Sequence, residues 1–129
     1  MDEAGPQSQS RYFRASCVLG ALAVILGAFG AHGLESRLDA DHLGYWHTAV
    51  QYHFFHVVPL FALTLLGADR WNRWASRACI AWILGIALFS GSLYVLALTG
   101  QSWFGAITPF GGLAFILGWL FALGAATRR

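Results

Sequence analysis

The chain carries little charge and lacks lysine altogether. Only 11% of its 129 residues are charged, 57% are hydrophobic, and all eight basic residues are arginine. A soluble domain usually carries about 25% charged residues, so the composition argues against a soluble fold and favours a polytopic membrane protein.

Cysteine is scarce too: Cys17 and Cys79 have no Cys-x-x-Cys or Cys/His ligand spacing. We interpret both as apolar packing residues rather than as a disulfide or a metal site.

Catalytic signatures are also missing. The sequence has no nucleophile motif, no phosphate-binding loop and no GxGxxG at a strand–helix junction, and no carboxylate lies within an apolar run to relay protons as in a pump. We therefore predict neither enzymatic activity nor a cofactor, and an ion-coupled transporter is disfavoured. The expected partner is the lipid bilayer, with a second copy or a larger membrane complex as an open alternative, and no nucleic acid.

Four apolar runs, each long enough to cross a bilayer, account for nearly the whole chain. A spanning helix needs about 20 mostly apolar residues at a rise of 1.5 Å each. We predict an all-α integral membrane protein, a four-helix antiparallel bundle with spans at about 15–33, 45–66, 77–98 and 109–127. These spans form a single domain over residues 11–129, preceded by a disordered tail over residues 1–10.

Arginine is distributed unequally between the two ends of these runs. Seven of the eight arginines precede the first run, lie in the second connection or close the chain. Only Arg37 lies in the first connection, beside three acidic residues, and the third connection has no charge. Because short cytoplasmic loops carry an excess of Lys and Arg, we predict that both termini face the cytoplasm.

Small residues at four-residue spacing predict close helix packing. Such a ridge lets the backbone of a neighbouring helix approach, although glycine is also common in membrane helices without this role. Two continuous ridges, in the first and fourth runs, favour a tight bundle. The residues assigned to helix packing are Ala23, Gly27, Ala31, Gly85, Gly91, Ala114, Gly118 and Ala122.

Each apolar run has one end near most of the arginines. Uncharged polar and histidine side chains concentrate near the other end. Antiparallel threading brings these ends into the same leaflet, and polar side chains within lipid usually face the bundle interior or a cavity. The sequence therefore predicts a polar pocket in the outer leaflet. Its candidate residues are His32, Thr48, Tyr52, His53, His56, Ser90, Ser92, Tyr94 and Thr108.

Three interpretations of this cluster stay open. In the first, the side chains hydrogen-bond one another and hold the helices in register, at roughly 1 kcal/mol or less per bond. In the second, they line a pocket for a quinone or a lipid headgroup, because convergent polar groups between helices are typical of ligand sites. In the third, His32, His53 and His56 ligate a metal or haem, since imidazole suits Zn, Cu and Fe. A small-solute transporter is a further alternative.

Several motifs, in order along the chain, carry a family resemblance. They are Gly27–Gly33 (GAFGAHG), Tyr52–His56 (YHFFH), Phe89–Tyr94 (FSGSLY), Thr108–Gly112 (TPFGG) and Gly118-Trp119. Together they resemble the small inner-membrane proteins of the YgdD/YwdK type, domain of unknown function 423, related to animal transmembrane protein 256.

The resemblance implies four transmembrane helices and a multi-pass protein of the bacterial plasma membrane, without a known activity. Members often carry Gln at the position of His53, which leaves His32 and His56 as the better pair for a metal.

Overall fold

Prolines and short polar side chains mark where the helices begin. In the computed structural model, which describes residues 5–126, Pro6 occupies the first turn of the first helix. The Asp39 carboxylate accepts a hydrogen bond from the His42 backbone N–H, and the Asn72 side chain accepts from the backbone N–H groups of Trp74 and Ala75. These caps satisfy backbone donors that a helix start leaves without partners.

Four long helices and one short 3₁₀ helix follow from these boundaries. Helix α1 spans Pro6–Leu34, with a π-helical last turn at Gly30–Leu34. Helix α2 spans Ala40–Leu63, and α3 spans Arg73–Thr99 with a π-helical segment at Ile86–Ser90. The 3₁₀ helix Ser102–Ala106 leads into α4, Thr108–Ala125. No strand occurs among residues 5–126, so the all-helical prediction is confirmed for the described part of the chain.

Three of the helical segments are long and apolar enough to cross a membrane. They are Pro6–Leu34, Arg73–Thr99 and Ser102–Ala125. Helix α2 has 24 residues but is not one of them, because polar side chains such as His47, Gln51 and His53 interrupt its apolar character. The helices pack in the order α1, α2, α3 and α4, with the most extensive interface between α3 and α4.

Helix α1 begins at Pro6, so the prediction of a disordered tail is corrected for residues 6–10. The Ser8 hydroxyl accepts a hydrogen bond from Trp71 Nε1 at 3.2 Å, and Gln9 Nε2 donates to the carbonyls of Thr64 and Leu66 at 3.0 and 2.7 Å. These contacts anchor the first turn of α1 to the end of α2 and to the following loop. Residues 1–4 of the predicted tail lie outside the described residues.

Small residues permit the close approach of α3 and α4. A Cβ atom at Gly111 would overlap the Phe89 backbone, one at Gly118 would overlap the Trp82 indole, and one at Gly85 would overlap the Phe115 ring. Between α1 and α2, a Cβ at Gly27 would meet Val50 at 3.3 Å.

The other residues assigned to packing vary in burial. Ala23 is fully buried, Ala114 and Ala122 are half-buried, and Ala31 is exposed. A Cβ at Gly91 would have only the carbonyl of Ile86, in its own helix, within 4 Å. Gly111 was not among the residues assigned to packing, although it makes the closest approach.

Candidate functional site

The structure joins most of the predicted polar residues in separate pairs rather than in one cluster. His53 Nδ1 lies 2.9 Å from the Tyr94 hydroxyl, which connects α2 with α3. The Ser90 hydroxyl, fully buried, donates to the Ala49 carbonyl at 2.7 Å. Each pair therefore ties two neighbouring helices by a side-chain hydrogen bond.

A third pair connects α3 with the start of α4. The hydroxyls of Ser92 and Thr108 lie 2.6 Å apart, and the Ser92 hydroxyl also donates to the Phe89 carbonyl in its own helix. Phe89 and Ser90 belong to the π-helical segment of α3. Such a segment adds one residue to a helical turn and occurs often at functional sites.

His56 is held on three sides. Its Nδ1 lies 2.9 Å from the Tyr52 carbonyl, and Trp119 Nε1 donates to its Nε2 at 3.1 Å. Since an indole N–H can only donate, Nε2 is the acceptor, and the proton of the neutral ring sits on Nδ1. The ring also stacks on Phe115, with centroids 3.6 Å apart and planes inclined by 6°. Both ring nitrogens are therefore engaged within the chain.

The remaining candidate residues lie apart from these contacts. His32 is exposed at the end of α1, and among residues 5–126 no hydrogen bond or ring contact joins it to another predicted site residue. Thr48 is half-buried and likewise makes no hydrogen bond to these residues through its side chain. The structure does not bring His32 and His56 together. The described part of the chain has no group of three or more His, Cys, Asp or Glu side chains that could hold a metal ion.

His53 retains one buried atom without a partner. Its Nε2 makes no hydrogen bond within the described residues, although the residue is only 2% exposed. The Leu19 backbone carbonyl of α1 interacts with this imidazole without reaching hydrogen-bond geometry. An unpaired buried nitrogen is unfavourable, so His53 is less well accommodated than His56.

A groove of about 660 Å³ opens between α2 and α4, beside His56. Its walls are mostly aromatic and aliphatic, and no charged side chain lines it. The Tyr52 ring lies nearly parallel to Phe115, with centroids 6.3 Å apart, and 4.6 Å from the Phe89 centroid. The lining residues are Tyr52, His56, Phe89, Pro109, Gly112, Leu113, Phe115, Ile116 and Trp119.

Most of this groove could not be predicted from the polar residues, because its lining is largely aromatic and aliphatic. Trp119, Phe115 and Phe89 contribute its aromatic walls, but an aromatic residue in an apolar helix resembles any other packing residue. The motifs Phe89–Tyr94, Thr108–Gly112 and Gly118-Trp119 contain several of these lining residues and were the available signal. Trp46 is a second tryptophan whose indole N–H connects two helices. It is buried, and its Nε1 donates to the Leu26 carbonyl of α1 at 2.9 Å.

These features define a small all-helical protein with membrane-length apolar helices and an aromatic groove open at its side. The chain belongs to the family described as a protein of unknown function (DUF423), which matches residues 26–112. This membership confirms the resemblance drawn from the sequence motifs.

Its relatives include the UPF0382 membrane protein YwdK of Bacillus subtilis, 49% identical over 117 residues, which cover 86% of this chain and 94% of the relative. The UPF0382 membrane protein of Haemophilus influenzae is 39% identical over 112 residues, or 87% and 90% of the two chains. The UPF0382 inner membrane protein YgdD of Escherichia coli is 36% identical over 113 residues, or 88% and 86%. These names describe membrane proteins and assign no activity. No solved structure matches the chain.

Proposed function

We propose that the chain spans the bacterial plasma membrane four times, with both termini in the cytoplasm. Helix α2 supports a fourth span: its 24 residues extend about 36 Å, and it packs against both α1 and α3. The name of YgdD supports the inner membrane as the location.

The arrangement of the arginines supports the same orientation. Tyr12 lies 6.1 Å from Trp71 between ring centroids, so the start of α1 and the loop before α3 share one end of the bundle. That end carries Arg11, Arg14, Arg70, Arg73 and Arg77, whereas Arg37 lies at the other.

A fluorescent protein fused after residue 129 should fold in the cytoplasm, and alkaline phosphatase fused at Gln101 should be active. The reverse pattern would contradict the orientation.

Within this bundle, we propose that the groove beside His56 binds an uncharged, lipid-soluble ligand with a flat ring, so that the protein acts as a binding or accessory protein. The observation that carries this proposal is the stacked aromatic wall with no charged lining residue. From Pro109 to Trp119 the groove follows α4 for about 15 Å, which corresponds to one leaflet of the hydrocarbon core. The ligand would therefore enter sideways from the outer leaflet.

The polar residues have a different role in this proposal. Because His56 uses both ring nitrogens for Tyr52 and Trp119, it supports the groove wall instead of ligating a metal or haem. Hydrogen bonds such as those of Ser90 and Tyr94 keep the helices in register. The Tyr52 hydroxyl makes no hydrogen bond to residues 5–126, and the residue is 38% exposed. The Tyr52 hydroxyl is therefore the polar group of the groove that is best placed to donate to a carbonyl of the ligand.

A quinone titration tests the proposal. Tryptophan fluorescence of the purified protein is followed as decylubiquinone is added, because Trp119 lines the groove. We expect saturable quenching that Gly112→Leu abolishes. A Cβ at Gly112 would lie 3.8 Å from Phe89, so this variant extends into the groove without a backbone clash. Gly44→Leu is the matched control, since nothing lies within 4 Å of a Cβ there. Equal loss in both variants, or no saturable quenching in the parent chain, would contradict the proposal.

A further inference from the structure

A second, smaller groove lies between α3 and α4 near the arginine-rich end. It encloses about 240 Å³. Its α3 wall contains Arg77, Ile80 and Leu84, which share one helix face at spacings of three and four residues. Its α4 wall contains Ala114, Leu117 and Phe121. Apart from Arg77, every residue of the lining is apolar, so the groove combines one permanent positive charge with a hydrocarbon-like surface.

Trp74 positions two guanidinium groups at this end of the molecule. The Arg77 guanidinium carbon lies 4.9 Å from the Trp74 ring centroid and that of Arg73 lies 5.8 Å from it, both within the range of cation–π attraction. Trp74 itself packs on α4, where a Cβ at Gly124 would meet its ring at 3.3 Å and Phe121 lies 6.0 Å away between centroids.

Within residues 5–126, the guanidinium groups of Arg73 and Arg77 take part in no ion pair. The ion pair between His42 and Asp39 lies at the other end of the bundle. Guanidinium groups recognise phosphate through two parallel hydrogen bonds. The Arg77 end of the groove is therefore complementary to a phosphate group.

We propose that this groove is a binding site for an anionic phospholipid of the cytoplasmic leaflet. Arg77, with Arg73 beside it, contacts the headgroup phosphate, and one acyl chain lies along Ile80, Leu84 and Leu117. Leu84 follows Arg77 by seven positions, which is about 10 Å along the helix axis, so the acyl chain is covered from the headgroup down into the hydrocarbon. Anionic lipids concentrate in the cytoplasmic leaflet and attract basic residues next to the membrane.

The apolar part of the groove distinguishes a phospholipid from free phosphate. Inorganic phosphate would contact only the arginines and leave Leu84, Ala114 and Leu117 without a partner. This site is separate from the groove beside His56 and does not depend on a ligand there. The orientation proposed above decides only which leaflet supplies the lipid. Binding in a bilayer with two identical leaflets therefore tests the site even if that orientation is reversed.

Native mass spectrometry of the full chain, released from nanodiscs of equal phosphatidylglycerol and phosphatidylcholine, tests the proposal. We expect phosphatidylglycerol to be retained over phosphatidylcholine, and Arg77→Gln to lower this selectivity about fivefold. Arg77→Lys should keep part of it, because the charge remains. Arg37→Gln is the matched control: it removes one arginine from the opposite end and should leave selectivity unchanged. Inorganic phosphate at 10 mM should not displace the lipid.

Two further variants test the acyl-chain part of the site. Ala114→Phe fills the groove from α4, and Ala87→Phe places the same side chain at an exposed position that does not line it. Only the former should reduce lipid retention. Leu84 is 51% exposed, so Leu84→Trp offers a second way to fill the groove if Ala114→Phe does not fold. Equal retention of both lipids, equal effects of Arg37→Gln and Arg77→Gln, displacement by free phosphate, or full retention after the groove is filled would each overturn the proposal.

Discussion

The two sides of α4 show how a helix can serve packing and binding at once. Towards α3, Gly111 and Gly118 let Phe89 and Trp82 approach the α4 backbone so closely that no Cβ would fit. Gly112 instead lines the open groove between α2 and α4, where a Cβ would make only ordinary contact with the Phe89 ring at 3.8 Å. Adjacent glycines in the sequence thus have opposite roles. Close packing on one side holds α4 in place, and the groove on the other side depends on that fixed position.

The strongest test of this comparison substitutes the two adjacent glycines. Gly111→Ala should destabilise the protein by about 1–3 kcal/mol or more, because the new methyl group overlaps the Phe89 backbone and the helices must separate. Gly112→Ala adds the same methyl group on the groove side. It should be neutral or stabilising by up to about 1 kcal/mol, since alanine is the better helix former. Thermal unfolding in detergent measures both, and equal destabilisation by the two variants would contradict the assignment of the two faces.

A smaller effect is expected where the His56 side chain of α2 contacts Trp119 and Phe115 of α4. His56→Phe keeps a ring that can stack on Phe115 but removes the acceptor for Trp119 Nε1 and the donor to the Tyr52 carbonyl. We expect a loss of roughly 1 kcal/mol in the free energy of unfolding, typical of a hydrogen bond between membrane helices. His32→Phe is the control and should change stability little, because His32 is exposed. A larger loss for His32→Phe than for His56→Phe would contradict the assignment of His56 as the histidine that connects the helices.

The smallest effect is expected at the N-terminal end of α2, where Asp39 caps the helix. The His42 backbone N–H and side chain donate to its carboxylate and hold the pKa of Asp39 below its ordinary value of 3.8. A lowered folded-state pKa contributes stability that is present above the ordinary pKa and is lost as pH falls through the folded-state pKa. The melting temperature should therefore fall slightly as the pH is lowered below about 4.

Asp39→Asn provides the control for this pH dependence, because asparagine can still cap the helix but does not titrate. Its melting temperature should vary less with pH over the same range. An unchanged pH dependence in Asp39→Asn would assign the effect to another carboxylate.

The helices were largely predictable because their signals are local. Apolar runs, the Asn72 cap and the Thr108-Pro109 start all lie next to the elements they define. The early start of α1 was missed because its polar first turn finds its partners far along the chain: Gln9 bonds to Leu66, 57 residues away. The same limit applies to Trp119, whose bond to His56 spans 63 residues.

The candidate site was predicted less completely than the helices. Depth along an apolar run indicated which residues share one end of the bundle, and the pairs His53–Tyr94 and Ser92–Thr108 lie there. Depth does not indicate the direction in which a side chain points around its helix. For this reason His32 was grouped with His56, although it is exposed at the end of α1.

By itself the sequence determined the class of this protein: low charge, apolar runs and family motifs are properties of the chain that do not depend on how the helices meet. Tertiary structure decided which of two neighbouring glycines packs against the Phe89 backbone, which histidine uses both nitrogens, and where grooves remain between helices. These features depend on the rotation of each helix about its axis and on its neighbour. That rotation follows from packing over the whole bundle, since a shift of one residue turns a side chain by about 100°.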